Sequence, residues 1–123
     1  MCRILVADDD PLQIELRRFV LESAGHEVMV ALDPPETLRL LECNWANLLI
    51  MDLRFLNSEG KPDSHEGLRL IRSIREQGCR APVVVLSGWP EDLYGQPEER
   101  MVSRVMVKPV TPKVLLETIE QLA

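Results

Sequence analysis

The chain is short of positive charge. Fourteen Lys and Arg stand against twenty Asp and Glu, for a net charge of −6. Duplex nucleic acid and anionic membranes both select a basic face, so neither is expected as a direct partner. No apolar run approaches the roughly 20 residues of a membrane-spanning helix. The start, Met1 to Asp8, reaches acid too early for a secretory leader, which makes the cytoplasm the expected compartment. Cysteines are few. Cys2, Cys43 and Cys79 form no C-x-x-C pair and leave an odd one over, as reduced structural thiols would. There is no internal repeat and no low-complexity linker, so residues 1–123 read as one domain with room for a core.

What the sequence does hold is alternation. Asn47-Leu48-Leu49-Ile50-Met51-Asp52 is a short apolar run ending on one carboxylate, the pattern of a strand buried on both faces. Arg3 to Ala7 reads the same way and runs into Asp8-Asp9-Asp10-Pro11. Asp10 suits an N-cap and Pro11 the first helical position. Leu12, Leu16, Phe19 and Val20 then recur as one helical stripe, expected to face the core. Glu27 to Leu32 is a second strand, and Asp33-Pro34-Pro35 opens a second helix carrying Leu38 and Leu41. After Asp52 comes a polar, turn-rich loop. Asp63-x-x-Glu66 resembles a capping box before a third helix with Leu68, Ile71 and Ile74. Pro82 to Leu86 is a fourth strand ending at Ser87-Gly88. Val105 to Val107 is a fifth, ending at Lys108-Pro109, and Thr111-Pro112 starts a last helix with Leu115, Ile119 and Leu122. Five strand–helix alternations predict a parallel sheet with helices on both faces.

Four strands therefore deliver Asp8 and Asp9, Asp52, Ser87 and Lys108 to one sheet edge, where open α/β folds place their sites. Clustered carboxylates repel by on the order of several kcal/mol per close pair, so the cluster calls for a cation. Hard oxygen donors and water suit Mg²⁺. The first strand–helix turn holds three acids where a nucleotide fold would have glycines, which weighs against flavin or dinucleotide binding. An acid, a cation site, a lysine and a hydroxyl together suit phosphoryl transfer to a carboxylate.

The runs Ile-Leu-Val-Ala-Asp8-Asp9-Asp10-Pro, Leu-Ile-Met-Asp52-Leu, Val-Val-Leu-Ser87-Gly88 and Val-Lys108-Pro109 resemble the receiver domain of bacterial two-component response regulators, of the stand-alone single-domain type. The resemblance spans the chain. It implies a flavodoxin-like (βα)5 three-layer α/β sandwich with strand order 2-1-3-4-5. It implies Asp52 as phosphoacceptor, Asp9 as a direct Mg²⁺ ligand, Asp8 as a ligand through water, and the Arg54 backbone carbonyl as a third ligand. Ser87 would turn its hydroxyl to the phosphoryl group, and Lys108 would pair with Asp52 and then with the phosphate. The Lys108-Pro109 bond is expected to be cis. The donor would be a phosphohistidine on a sensor histidine kinase or a histidine phosphotransfer protein. An output protein would read the phosphorylated form, and a homodimer is compatible with the family's switching face. Such a domain is a regulatory phosphoacceptor and not an enzyme.

Several positions depart from the family. Leu56 stands where receivers usually have Pro, and the loop 57–64 is longer by about seven residues. Val105 replaces the switch aromatic. Arg54 and Trp89 occupy the two variable positions that tune phosphate lifetime. Pro97 and Gly95 forbid one continuous fourth helix and suggest two short pieces opened by Pro90 and Pro97. These departures leave open a second reading, a receiver-like binding module that no longer depends on phosphorylation. A haloacid dehalogenase-like phosphatase would want an Asp at position 54, which is Arg. Among the remaining residues, His65 reads as an exposed first-turn residue. Trp89 reads as either surface or site, and Arg69, Arg72, Arg75 and Glu76 as the solvated face of the third helix.

Overall fold

The structure is a computed structural model that describes residues 2–122. Its central sheet is parallel and five-stranded. The strands are β1 (Arg3–Ala7), β2 (Glu27–Ala31), β3 (Leu48–Met51), β6 (Val83–Ser87) and β7 (Arg104–Val107). They lie in the order β2-β1-β3-β6-β7. Between β3 and β6 a separate antiparallel pair, β4 (Phe55–Leu56) and β5 (Pro62–Asp63), forms a hairpin outside the main sheet. Counting main-sheet strands alone, the order is the expected 2-1-3-4-5.

Each strand is apolar on both faces because each face is covered. Leu5, Leu49, Met51, Val83 and Val85 pack with α2 (Pro34–Leu41) and α3 (Ser64–Glu76). Ile4, Val6, Leu48, Ile50, Val84 and Leu86 pack on the opposite side with α1 (Pro11–Ser23) and α4 (Pro112–Leu122). Alternate residues of one strand thus belong to two cores, the three-layer arrangement of a doubly wound sheet. The helices begin where the side chains dictate. Asp10 accepts from the Leu12 N–H at 3.0 Å and Asp33 from the Glu36 N–H at 2.9 Å, each before a proline. The expected capping box at α3 is a simple cap. Asp63 accepts from the His65 N–H at 2.9 Å, while Glu66 pairs with Arg69. His65 is exposed, as expected.

Three sequence readings need correction. The α1 stripe does not face the sheet: Leu12 is 80%, Phe19 70% and Leu16 60% exposed, and Ile14 and Leu21 are the buried residues. Periodicity picks out only the outer row, because Arg17, lying between Ile14 and Leu21, disguises the inner one. The turn-rich loop after Asp52 is more than a connection, because short strands flank its turn. Asn57 Oδ1 accepts from the Glu59 and Lys61 N–H groups, and this turn closes the β4–β5 hairpin. Nor is the outer face of α3 purely solvated. Arg75 donates through Nε and Nη2 to the Met101 carbonyl at 3.0 and 2.7 Å, and through Nη1 to the Cys79 and Ala81 carbonyls.

The fourth connection has no α-helix. It contains two 3-10 turns, Pro90–Asp92 and Pro97–Met101, each opened by proline and followed by an acidic pair. The buried Leu93 anchors the first. The second is held by Glu98, which is buried and meets Arg72 Nε at 3.1 Å. Arg72→Ala is expected to cost about 1–3 kcal/mol in urea denaturation, because it strands a buried carboxylate. A cost below about 0.5 kcal/mol would mean that Glu98 is stabilised by other groups.

Candidate functional site

The carboxyl ends of β1, β3, β6 and β7 form one edge of the sheet, and the expected residues meet there. Lys108 follows β7 and extends Nζ to Asp52 Oδ2 at 2.8 Å. The same nitrogen is 3.7 Å from Asp8 Oδ2. The other Asp52 oxygen accepts from the Leu53 N–H at 2.6 Å and the Arg54 N–H at 3.3 Å. Ser87 is fully buried at the end of β6. Its hydroxyl accepts from the Trp89 N–H at 3.0 Å, and its carbonyl from the Lys108 N–H at 2.9 Å. The Lys108-Pro109 peptide is cis.

Two of the acids have cationic partners within the chain. Asp8, with its side chain 2% exposed, accepts from Arg17 Nη1 at 2.8 Å, and from the Asp10 N–H through its other oxygen. Arg17 and Lys108 thus neutralise Asp8 and Asp52 from within the chain. Among the described residues no group of three acid, histidine or cysteine side chains is gathered as a metal cage. Asp9 is different. Among the described residues it has no cationic partner, and its Oδ2 accepts only from the Leu56 N–H at 2.9 Å. Burial pushes the Asp9 carboxyl above its ordinary range against that hydrogen bond, and the charges of Asp8 and Asp52 push it further. Leu56 is able to donate because it is not a proline.

The Response regulator receiver domain family matches residues 4–120. The chain belongs to that family. An uncharacterized 14.6 kDa protein of Leptolyngbya boryana is 33% identical over 126 residues, covering 96% of this chain and 87% of that one. The transcriptional regulatory protein GlrR of Escherichia coli is 29% identical over 119 residues. The match covers 95% of this chain, which spans 25% of GlrR's length. Among solved structures, the response regulator protein TrrA of Thermotoga maritima in complex with Mg²⁺-BeF superposes with a TM-score of 0.84 at 24% identity. That match covers 100% of both chains. The CheY-like, flavodoxin-like fold is therefore shared.

Receiver domains are regulatory and bind Mg²⁺. The donor set of this receiver fits that ion. Asp9 carries a carboxylate with no cationic partner among the described residues, near enough to Asp52 to feel its charge, and Mg²⁺ takes one or two carboxylates and keeps its waters. In this receiver no described helix is long and apolar enough to cross a membrane.

The pKa of Asp9 has a consequence for stability. An acid whose pKa is raised by folding binds protons more tightly in the folded chain, so stability falls as pH rises from its ordinary 3.8 through the raised value. Asp9→Asn is expected to melt a few degrees higher than wild type at neutral pH without metal. Below the ordinary carboxyl range the gap should close. Added Mg²⁺ should raise the melting temperature of wild type and leave the variant nearly unmoved. A metal-free variant less stable than wild type would contradict the strain assigned to Asp9.

Arg54 and Trp89 do touch. The Arg54 guanidinium carbon lies 3.9 Å from the centroid of the Trp89 ring, and Arg54 Nε reaches Asp92 Oδ2 at 2.8 Å. The hydrogen bond to Asp92 pushes the guanidinium pKa up. Three participants escaped the sequence reading. Arg17 had one signal, a basic residue within the buried row of α1. The Leu56 N–H was signalled by the missing proline. Asp92 had none, since its role depends on where the first 3-10 turn lies.

Proposed function

We propose that this receiver accepts a phosphoryl group on Asp52 from a phosphohistidine of a sensor kinase or phosphotransfer protein. The observation that carries the reading is the Lys108–Asp52 ion pair at the strand-end edge, with Asp8, Asp9 and Ser87 beside it. One Asp52 carboxylate oxygen attacks phosphorus. The O–P bond forms as the donor's N–P bond breaks, and the imidazole leaves with the electron pair. Asp9, Asp52 and the Arg54 carbonyl would hold Mg²⁺, with Asp8 contributing through water, and the bound ion supplies charge neutralisation for the phosphoryl oxygens. Lys108 holds one Asp52 oxygen at 2.8 Å and then transfers its hydrogen bond to the phosphoryl group. The Ser87 hydroxyl leaves the Trp89 N–H and donates to the product.

The exposed apolar row Leu12, Leu16 and Phe19 starts beside Asp8 to Asp10 and supports docking of the donor on α1. Output passes through protein contacts of the 88–102 segment, because Val105 offers no aromatic ring to swing inward. Wild type incubated with acetyl phosphate and Mg²⁺ should gain one phosphoryl group by intact mass. No gain, with beryllofluoride also unbound, would support the phosphorylation-independent binding module.

The β4–β5 hairpin borders this edge and supports a role in partner choice. Deleting the turn within 57–64 should leave labelling by acetyl phosphate intact while changing transfer from a phosphohistidine donor. Equal transfer rates would mark the hairpin as a tolerated insertion.

A further inference from the structure

We propose that Asp92 is a positioning residue for phosphate lifetime, holding Arg54 and Trp89 together as one lid over the phosphorylation site. The inference rests on the phosphoacceptor reading of Asp52 and deepens it. Arg54 is two residues beyond Asp52, and its N–H donates to Asp52 Oδ1 at 3.3 Å. Trp89 is two residues beyond Ser87, and its N–H donates to Ser87 Oγ at 3.0 Å. The lid side chains are therefore tied at their backbones to the two reactive side chains. They come from different strand ends and close on each other, guanidinium over indole, at 3.9 Å.

Left alone, that contact is a weak one between two long, half-exposed side chains. Asp92 changes its character. It meets Arg54 in a forked pair, Nε to Oδ2 at 2.8 Å and Nη2 to Oδ1 at 3.4 Å, with side-chain exposures of 30% and 17%. A planar fork held at two points fixes the plane of the guanidinium, which is what stacking on an indole requires. The Asp92 N–H in turn donates to the Trp89 carbonyl at 3.0 Å, so the partner of Arg54 also fixes the backbone of Trp89. The three residues form a closed circuit spanning the Asp52 loop and the first 3-10 turn. When shut, it denies water a path to the acyl phosphate. When Ser87 turns to the product it releases the Trp89 N–H, and the same circuit transmits that release to Pro90–Asp92. One clasp thus sets both phosphate lifetime and the state of the output segment.

A cycle of variants tests this. Asp92→Ala and Arg54→Ala should each speed loss of phosphate from the labelled protein about fivefold, the factor that corresponds to about 1 kcal/mol. The double variant should be no faster than either single one. Asp92→Glu should restore part of the lifetime. Additive effects, or an unchanged rate for Asp92→Ala, would overturn the proposal. A second arm needs no phosphate. With Trp45→Phe, Trp89 is the sole indole, and Asp92→Ala should raise its quenching by acrylamide as much as Arg54→Ala does. Unchanged quenching overturns the clasp. If wild type takes no label while quenching responds as expected, the phosphoacceptor reading fails together with the lifetime role, and the clasp itself stands.

Discussion

Asp52→Asn is expected to take up no phosphoryl group under conditions that label wild type fully, and no other single substitution should act so completely. The amide nitrogen is not a nucleophile, and the remaining amide oxygen carries no charge for Lys108 to hold. The fold should survive. The amide oxygen still accepts from the Leu53 and Arg54 N–H groups that now bind Asp52 Oδ1. Lys108 keeps a second carboxylate, Asp8 Oδ2 at 3.7 Å, so removing Asp52 leaves no isolated buried cation. Loss of label with an unchanged melting curve would therefore report chemistry and not misfolding. Intact mass after acetyl phosphate and Mg²⁺ decides it. A labelled variant would transfer the acceptor role to another acid, with Asp9 the first to examine.

Gly67→Ala is expected to be the most damaging change of a single carbon. A Cβ built at Gly67 would lie 2.2 Å from the Leu53 carbonyl oxygen, 2.5 Å from its Cα and 2.7 Å from its carbonyl carbon. All three are backbone atoms, so no rotamer relieves the contact, and α3 must move away from the residue that follows Asp52. The cost should reach or exceed the top of the roughly 1–3 kcal/mol usual for overpacking. Urea midpoints measure it. Gly88→Ala is the control, because a Cβ there meets nothing within 4 Å and its φ lies outside the left-handed region. A Gly67→Ala protein as stable as the control would mean that α3 shifts without cost. Weakened labelling should accompany the instability, since α3 and the Asp52 loop share this contact.

Most of the architecture was legible because it rests on local rules. Short apolar runs had to be strands buried on both faces. Asp10, Asp33 and Asp63 had to cap helices, and Pro90 and Pro97 had to break the fourth connection. The chemical residues were legible for a related reason. In a parallel sheet every strand ends on the same edge, so Asp8, Asp9, Asp52, Ser87 and Lys108 converge whatever the helices do.

Packing decided the rest. Periodicity identified one apolar row on α1, Leu12, Leu16 and Phe19, yet the sheet covers a second, sparser row, Ile14 and Leu21. The partners of the acids are likewise long-range. Arg17 reaches Asp8, the Leu56 N–H reaches Asp9, and Asp92 reaches Arg54 across 38 residues of chain. Sequence alone determined which groups stand at the strand ends, because strand direction and length are local properties. Which oxygen each donor binds, and hence which acid is left for a metal, was decided only by tertiary structure, because a hydrogen bond depends on fractions of an ångström between segments that never meet in the sequence.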